Sequence, residues 1–255
     1  MKNAIIYAVM CAAIQVMVST IAQLVWTMLM HRDGVMSTDY MIVTLATFNV
    51  LVIAVFLIAK WAQVSRNWLL TRPWGVLCWA GVAAVGCIVP SLWIQEMMPE
   101  LPNLMGENVE GMLGSRAGYA VVGLLAPMAE EVVFRGAILR SLLSWNGNHW
   151  LCIAISALIF AAVHINPAQM PHAFAVGLLL GWMYWRTGSI LPGVVFHWVN
   201  NSIAYAMYNL SMAAYGRGDM TLAELLGQQR VLMAVVFSLL ILLPAIYQLN
   251  LRMKK

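Results

Sequence analysis

Long apolar runs constrain this chain more than any other feature. They cover residues 4–30, 40–59, 75–98, 117–143, 150–164, 173–185, 191–210 and 231–249. A helix needs about 20 apolar residues to cross a bilayer, where every backbone N–H and C=O must be paired within the span. The fifth and sixth runs are short by that measure. Only 9% of the 255 residues are charged and 62% are hydrophobic, against roughly 25% charged in a soluble domain. The expected fold is therefore an all-α, polytopic membrane helix bundle of about eight transmembrane helices, with no soluble module. Lys2 precedes the first run as in a secretory signal, but that run is too long and no small-residue cleavage site follows.

Basic residues set the orientation of such a bundle. With the N-terminus inside, the cytoplasmic ends collect Lys2, Lys60, Arg66, Arg72, Arg140, Arg186, Arg252, Lys254 and Lys255. The outer side keeps Arg32, Arg116, Arg217 and Arg230, together with every acid except Glu130 and Glu131. Both termini are expected to be cytoplasmic, in a multi-pass protein of the plasma or inner membrane. The polar stretch 98–116, rich in Pro, Gly and Asn, reads as an exposed loop or a short surface helix. It divides the chain into three N-terminal helices and the loop (1–116), a core holding the unusual polar residues (117–212), and a last helix with a basic tail (213–255). Gly177 and Gly181 form a small-xxx-small pair suited to close helix contact. The four cysteines, Cys11, Cys78, Cys87 and Cys152, lie in apolar runs without CxxC spacing and read as small buried hydrophobes.

Within the fourth run, residues 123–140 read GLLAPMAEEVVFRGAILR. A charge in the hydrocarbon core costs from ~2.5 to above 10 kcal/mol, so Glu130, Glu131 and Arg135 need a partner or a task. On a helix Glu131 and Arg135 are four apart and suit an ion pair. Glu130 is turned roughly 100° from Glu131 and is expected to address something else. Pro127 has no N–H and is expected to free the Gly123 carbonyl and kink the helix before the acids. Read blandly, the three charges only hold helices together.

Later runs add His164, one turn after Phe160, and then His197 and Asn201, which stack on one helical face. His31 and His149 fall in loops or at the interface. His172 follows Pro171 in a tight loop, and all three are read as having no catalytic part. Trp145, Trp150, Trp182 and Trp185 fit aromatic belts at the membrane–water boundary. One carboxylate, two imidazoles and an amide on three helices suit two chemistries. Glu130 and His164 could hold and deprotonate a water while His197 and Asn201 stabilise an oxyanion. Alternatively, Glu130, His164 and His197 could be three ligands of a catalytic zinc with an open fourth position. Residue type and spacing leave both open.

EEVVFR, FAAVH and HWVNN resemble, in order, the EExxxR, FxxxH and HxxxN motifs of the CAAX prenyl protease and bacteriocin-processing (CPBP, or Abi) family. The resemblance covers roughly residues 119–209. It implies an intramembrane endopeptidase in which Glu130 is the catalytic base and His164 helps to position the water. It further implies that His197 and Asn201 form the oxyanion hole, supported by Glu131, Arg135 and Phe160. It favours a glutamic-type enzyme without cofactor over the zinc-dependent version. The doubled Asn200–Asn201 resolves to Asn201, which lies a full turn from His197.

The expected substrate is a membrane-associated or lipidated (CAAX-like) peptide or protein, and the expected partners are that substrate and the lipid bilayer, not nucleic acid. The motifs do not choose among prenylated proteins, bacteriocin leaders and other peptides. The rival readings are a non-catalytic peptide-binding or bacteriocin-immunity protein and a transporter using the same groups as a proton relay. One tension concerns depth. Counted along straight helices, Glu130 and His197 lie ~10 Å from the cytoplasmic side and His164 ~20 Å. The fifth segment must then be short and deep, tilted, or beside a water-filled cavity, with irregular backbone after it at Asn166, Pro167 and Pro171.

Overall fold

The computed structural model describes residues 1–30, 37–65, 74–104, 106–218 and 220–253. His31, Arg32, Arg66, Arg72, Lys254 and Lys255, which entered the histidine and charge readings, lie outside the described residues. Each expected run is helical: α1 (Lys2–Met30), α2 (Thr38–Ile58), α3 (Trp74–Met97), α5 (Arg116–Trp145), α6 (His149–Ala162), α7 (Met170–Thr187), α8 (Leu191–Tyr215) and α10 (Gln228–Arg252). Two short helices, α4 (Gly106–Leu113) and α9 (Leu222–Leu226), lie in the polar connections. No strand occurs among the described residues.

Five of these helices, α1, α2, α3, α5 and α10, are long and apolar enough to cross a membrane. That is fewer than the eight expected. α6 is apolar but short, and α7 and α8 carry the polar residues that lower their hydropathy. Large apolar side chains such as Val9, Val16, Met28, Leu232, Phe237 and Leu243 are exposed along α1 and α10. A surface of that kind is suited to lipid, and with the spans it makes this a multi-pass membrane protein.

Local signals fix the helix ends. Ser37 and Asn148 accept hydrogen bonds from Tyr40 N and Leu151 N at the starts of α2 and α6. Gly188 and Gly216 end α7 and α8 in the left-handed conformation that glycine adopts without a Cβ clash. The short connection after Gly188 makes α7 and α8 antiparallel neighbours.

Side chains pack in two clusters. One joins α1, α2, α5, α6 and α7 through Ile14, Phe56, Val133, Ile138, Phe160 and Ala173. The other joins α3, α7, α8 and α10 through Ala80, Ala84, Leu180, Met183, Phe196 and Leu249. Close approach depends on missing side chains, as the small-xxx-small pair predicts. A Cβ on Gly177 would lie 3.0 Å from Ala157 Cβ, and one on Gly181 would lie 2.9 Å from Ile153 Cγ2. Of the tryptophans read as interfacial, Trp145 and Trp150 are exposed, while Trp182 packs against both clusters.

Polar contacts tie helix ends together. At one end Arg186 donates to Asn250 Oδ1 at 2.6 Å and to Met253 O at 2.8 Å, tying α7 to the end of α10. At the other, Glu96 accepts from Leu222 N at 2.6 Å and Arg217 pairs with Glu224.

Candidate active site

The site lies at the seam between the two clusters, and the backbone of α5 prepares it. Residues Ala120–Leu125 and Glu131–Leu139 wind in wide, π-helical turns around an α-helical stretch Ala126–Glu130. Such turns add a residue per turn and are frequent at functional sites. In the wide register Ala126 N bonds Val121 O, so the next acceptor, Val122 O, faces Pro127, which has no N–H to give. Asn201 Nδ2 donates to Val122 O instead, at 3.0 Å. The freed carbonyl is therefore Val122, not Gly123 as a regular α-helix would require.

Glu131 and Arg135 form the expected ion pair, with Nη1 to Oε1 at 2.7 Å and side chains 0% and 1% exposed. Arg135 also donates from Nη2 to Gly177 O at 3.4 Å and lies 4.4 Å from the centre of the Phe160 ring. A planar guanidinium can satisfy a carboxylate, a carbonyl and an aromatic face together.

The two glutamates converge on a single ring, His197. Its Nε2 is 3.6 Å from Glu130 Oε2 and its Nδ1 is 3.7 Å from Glu131 Oε1. Glu130 thus faces the same ring as Glu131, both at separations too long for hydrogen bonds. The pair differs sharply in access: Glu130 is 28% exposed and Glu131 is sealed. Glu131 also packs directly on Gly193 of α8, where no Cβ would fit.

Phe160 gathers the remaining groups. Its ring stands edge-on to Phe134 at 5.1 Å, His164 at 4.9 Å and His197 at 5.9 Å. His164 Nδ1 lies 2.8 Å from Phe160 O. A carbonyl only accepts, so Nδ1 carries the proton, and in the neutral ring Nε2 is left as an acceptor.

α6 is short, as the depth argument allows, and irregular backbone follows it. Straight after His164 the chain reverses at Ile165, held at φ +53, a strained value for a β-branched residue. Fully buried Asn166 locks this turn: its Oδ1 accepts from Leu104 N at 3.2 Å and its Nδ2 donates to Asn103 Oδ1 at 2.9 Å. Ala168 N adds a bond to Pro102 O at 3.3 Å. The loop that separates the N-terminal helices from the core thereby clamps the turn carrying His164.

His172, read from sequence as having no catalytic part, lies within electrostatic reach of both His164 and His197. Asn49 of α2 is buried in a face that packs on α5, with no partner for its Nδ2 among the described residues. Neither residue belongs to a motif. Only the rarity of polar groups in an apolar run marks them. As for a metal, no three His, Cys, Asp or Glu side chains converge at ligand spacing among the described residues, so Glu130, His164 and His197 are not a ready-made zinc set. Beside the site, on α8, Trp198, Ser202, Ala206 and Leu210 line an apolar groove with Tyr119 and Val85. Trp198 Nε1 donates to Tyr119 Oη at 3.2 Å, and Tyr119 shares a hydrogen bond of 3.0 Å with Ser202.

Fold and site together define a multi-pass helical membrane protein with a buried carboxylate–histidine–arginine cluster open to its surroundings at one carboxylate. Residues 113–203, about a third of the chain, match the family described as type II CAAX prenyl endopeptidase Rce1-like. The matched segment contains all three motifs, and over it the chain is similar to that family. No curated protein and no solved structure matches the chain.

Proposed function

We propose that the protein is an intramembrane endopeptidase that hydrolyses a peptide bond of a membrane-associated or lipidated polypeptide by a Glu130-activated water. The convergence of Glu130 and Glu131 on His197 beside the Phe160–His164 pair carries this reading. Glu130, the accessible carboxylate, takes the proton of the attacking water, and His164 Nε2 orients that water from the other side. His197 and the second N–H of Asn201 donate to the oxyanion formed on the attacked carbonyl, a contribution of about 3–4 kcal/mol per donor at such sites. Glu130 then returns the proton to the leaving amine. Glu131, neutralised by Arg135, holds the His197 ring from behind and stays out of the chemistry.

The apolar groove along α8 suits a lipid chain attached near the scissile bond, which favours a lipidated substrate. By the positive-inside rule we place the Lys2, Arg140, Arg186 and Arg252 end, and with it both termini, in the cytoplasm.

The rival is a binding protein that holds a peptide without cutting it. Glu130→Gln decides between them, because the amide keeps the shape and loses the base. In cells whose phenotype depends on the native protein, the endopeptidase reading expects Glu130→Gln at matched abundance to behave like the deletion. Full function in that variant would favour binding.

A further inference from the structure

Two staples hold one turn of α8 against α5, and only one of them involves a motif residue. On the site face Asn201 Nδ2 donates to Val122 O at 3.0 Å. On the groove face Tyr119, three residues before Val122, reaches both Trp198 and Ser202. Trp198 directly follows His197, and Ser202 directly follows Asn201. At roughly 100° per residue the two pairs stand on adjoining faces of the same helical turn.

The protons of the second staple are placed one by one. Ser202 Oγ lies 2.7 Å from Trp198 O, and a carbonyl only accepts, so the serine proton is spent there. The 3.0 Å bond between Tyr119 and Ser202 then runs from the phenol to the serine. An indole N–H only donates, so Tyr119 Oη also accepts from Trp198 Nε1 at 3.2 Å. The phenol takes one proton from α8 and gives its own back, which closes a circuit of three directed bonds. In the apolar surroundings of the groove such bonds are stronger than in water, and a group left without its partner is costly. The aromatic ring of Tyr119 is confined as well. It stands 4.7 Å from the Tyr205 ring and covers Gly123, where a Cβ would lie 2.5 Å from Tyr119 Cε2.

Asn201 depends on the spacing that this circuit sets. One of its two N–H groups is taken by Val122 O, so the direction of the other follows from how α8 sits on α5. A donor serves an oxyanion only from about 2.7–3.1 Å away. We propose that Tyr119 is a positioning residue: its hydroxyl pins the turn 198–202 to α5 and thereby aims the free N–H of Asn201. This rests on the endopeptidase reading for the use of that N–H, while the coupling of Tyr119 to Asn201 is tested without a substrate.

Tyr119→Phe removes the hydroxyl and leaves the ring, so the groove keeps its apolar wall. Ser202→Ala breaks the same circuit from α8, and Ser202→Thr keeps the hydroxyl. In cells at matched abundance, Glu130-dependent peptide termini should fall roughly tenfold or more in Tyr119→Phe and Ser202→Ala, the scale of a misplacement approaching 1 Å. They should stay near the native level in Ser202→Thr. Ser238→Ala controls for stability alone. It removes one buried bond between α10 and α3, from Ser238 Oγ to Gly86 O at 3.1 Å, and should lower the midpoint without loss of termini. In the detergent-solubilised full-length protein, Tyr119→Phe and Asn201→Leu should each lower the thermal unfolding midpoint, and the double variant by less than their sum. Asn201→Ala repeats the cycle as a guard against a misfit of leucine.

Native-level termini in Tyr119→Phe would overturn the proposal, as would a loss in Ser202→Thr or Ser238→Ala as large as in Tyr119→Phe. Midpoint losses that simply add would also overturn it, because the two staples would then act independently. If Glu130→Ala leaves all termini unchanged, the endopeptidase reading fails instead. The midpoint cycle then decides alone: additive losses still reject the coupling of Tyr119 to Asn201, and a shortfall supports it.

Discussion

Replacing Arg135 by glutamine isolates the energetics of the site. Arg135 is 1% exposed and pairs with a carboxylate that is 0% exposed. Removing one partner of a buried pair leaves the other charge without compensation and costs about 3–5 kcal/mol. Loss of the guanidinium over Phe160 adds about 0.5–2 kcal/mol, while the bond to Gly177 O, at 3.4 Å, is long and adds little. For a chain of this size about 1 kcal/mol moves Tm by 2–4 °C, so the expected fall is roughly 7–28 °C. Arg135→Lys keeps the charge but not the planar fork and should fall between the two. Glu131→Leu combined with Arg135→Met removes both charges at once and should regain most of the lost stability, since apolar replacement of a whole buried pair is often neutral or better. The same double variant loses the support behind His197 and should be inactive. Thermal unfolding of the solubilised protein followed by tryptophan fluorescence gives the midpoints. An Arg135→Gln midpoint equal to the native one, or a double variant no better than the single, would refute the reasoning.

Three further outcomes follow from particular contacts. Asn166→Ala removes both bonds to the 102–104 loop, so hydrogen exchange there should quicken and Glu130-dependent cleavage should drop at least tenfold, as expected when a catalytic group is misplaced by about 1 Å. Unchanged exchange in that loop would count against the clamp. Pro127→Ala restores an N–H opposite Val122 O, so the stability loss of Asn201→Leu should shrink in the Pro127→Ala background; additive losses would show that the two do not share that carbonyl. Glu224 is held below the usual carboxylate range, first by the Thr221 backbone N–H and then by Arg217 and the Thr221 hydroxyl. A depressed folded pKa means that this cap stabilises above the ordinary Glu value and is lost as pH falls through the lowered one. Backbone protection over 220–227, the exchange rate relative to the intrinsic rate at each pH, should therefore be high at neutral pH and fall only in acid. Protection that falls on raising the pH would reverse the sign.

Much of the site was legible because its chemistry stands out against an apolar background. Glu130, Glu131, Arg135, His164, His197 and Asn201 are conspicuous at helical spacing, and Phe160 falls one turn before His164. The helices themselves were legible because apolar runs bounded by Gly, Pro and capping residues leave few alternatives. What composition does not encode is backbone register. Nothing in AVVGLL or EVVFRGAIL distinguishes a wide turn from a regular one, so the true acceptor of Asn201 was hidden. Nor does local pattern show contacts between distant segments. Asn103 and Asn166 meet across 63 residues, and each alone reads as an ordinary loop asparagine. The same holds for His172, whose closeness to His164 and His197 exists only after α6 and α7 have packed. α7 and α8 form where predicted, and they and the turn before them carry His172, His197, Asn201 and Asn166.

The central claim is that Glu130 cuts peptide bonds, and it is tested most directly by comparing new peptide termini in membranes of cells carrying the native protein or Glu130→Ala at equal abundance. The account predicts a specific set of termini that is present with the native protein, absent in the variant and restored on complementation, with cleavage near a membrane-associated or lipid-bearing segment. Identical terminus profiles, while the native protein still supports its phenotype, would contradict it and leave peptide binding without hydrolysis as the function of this site.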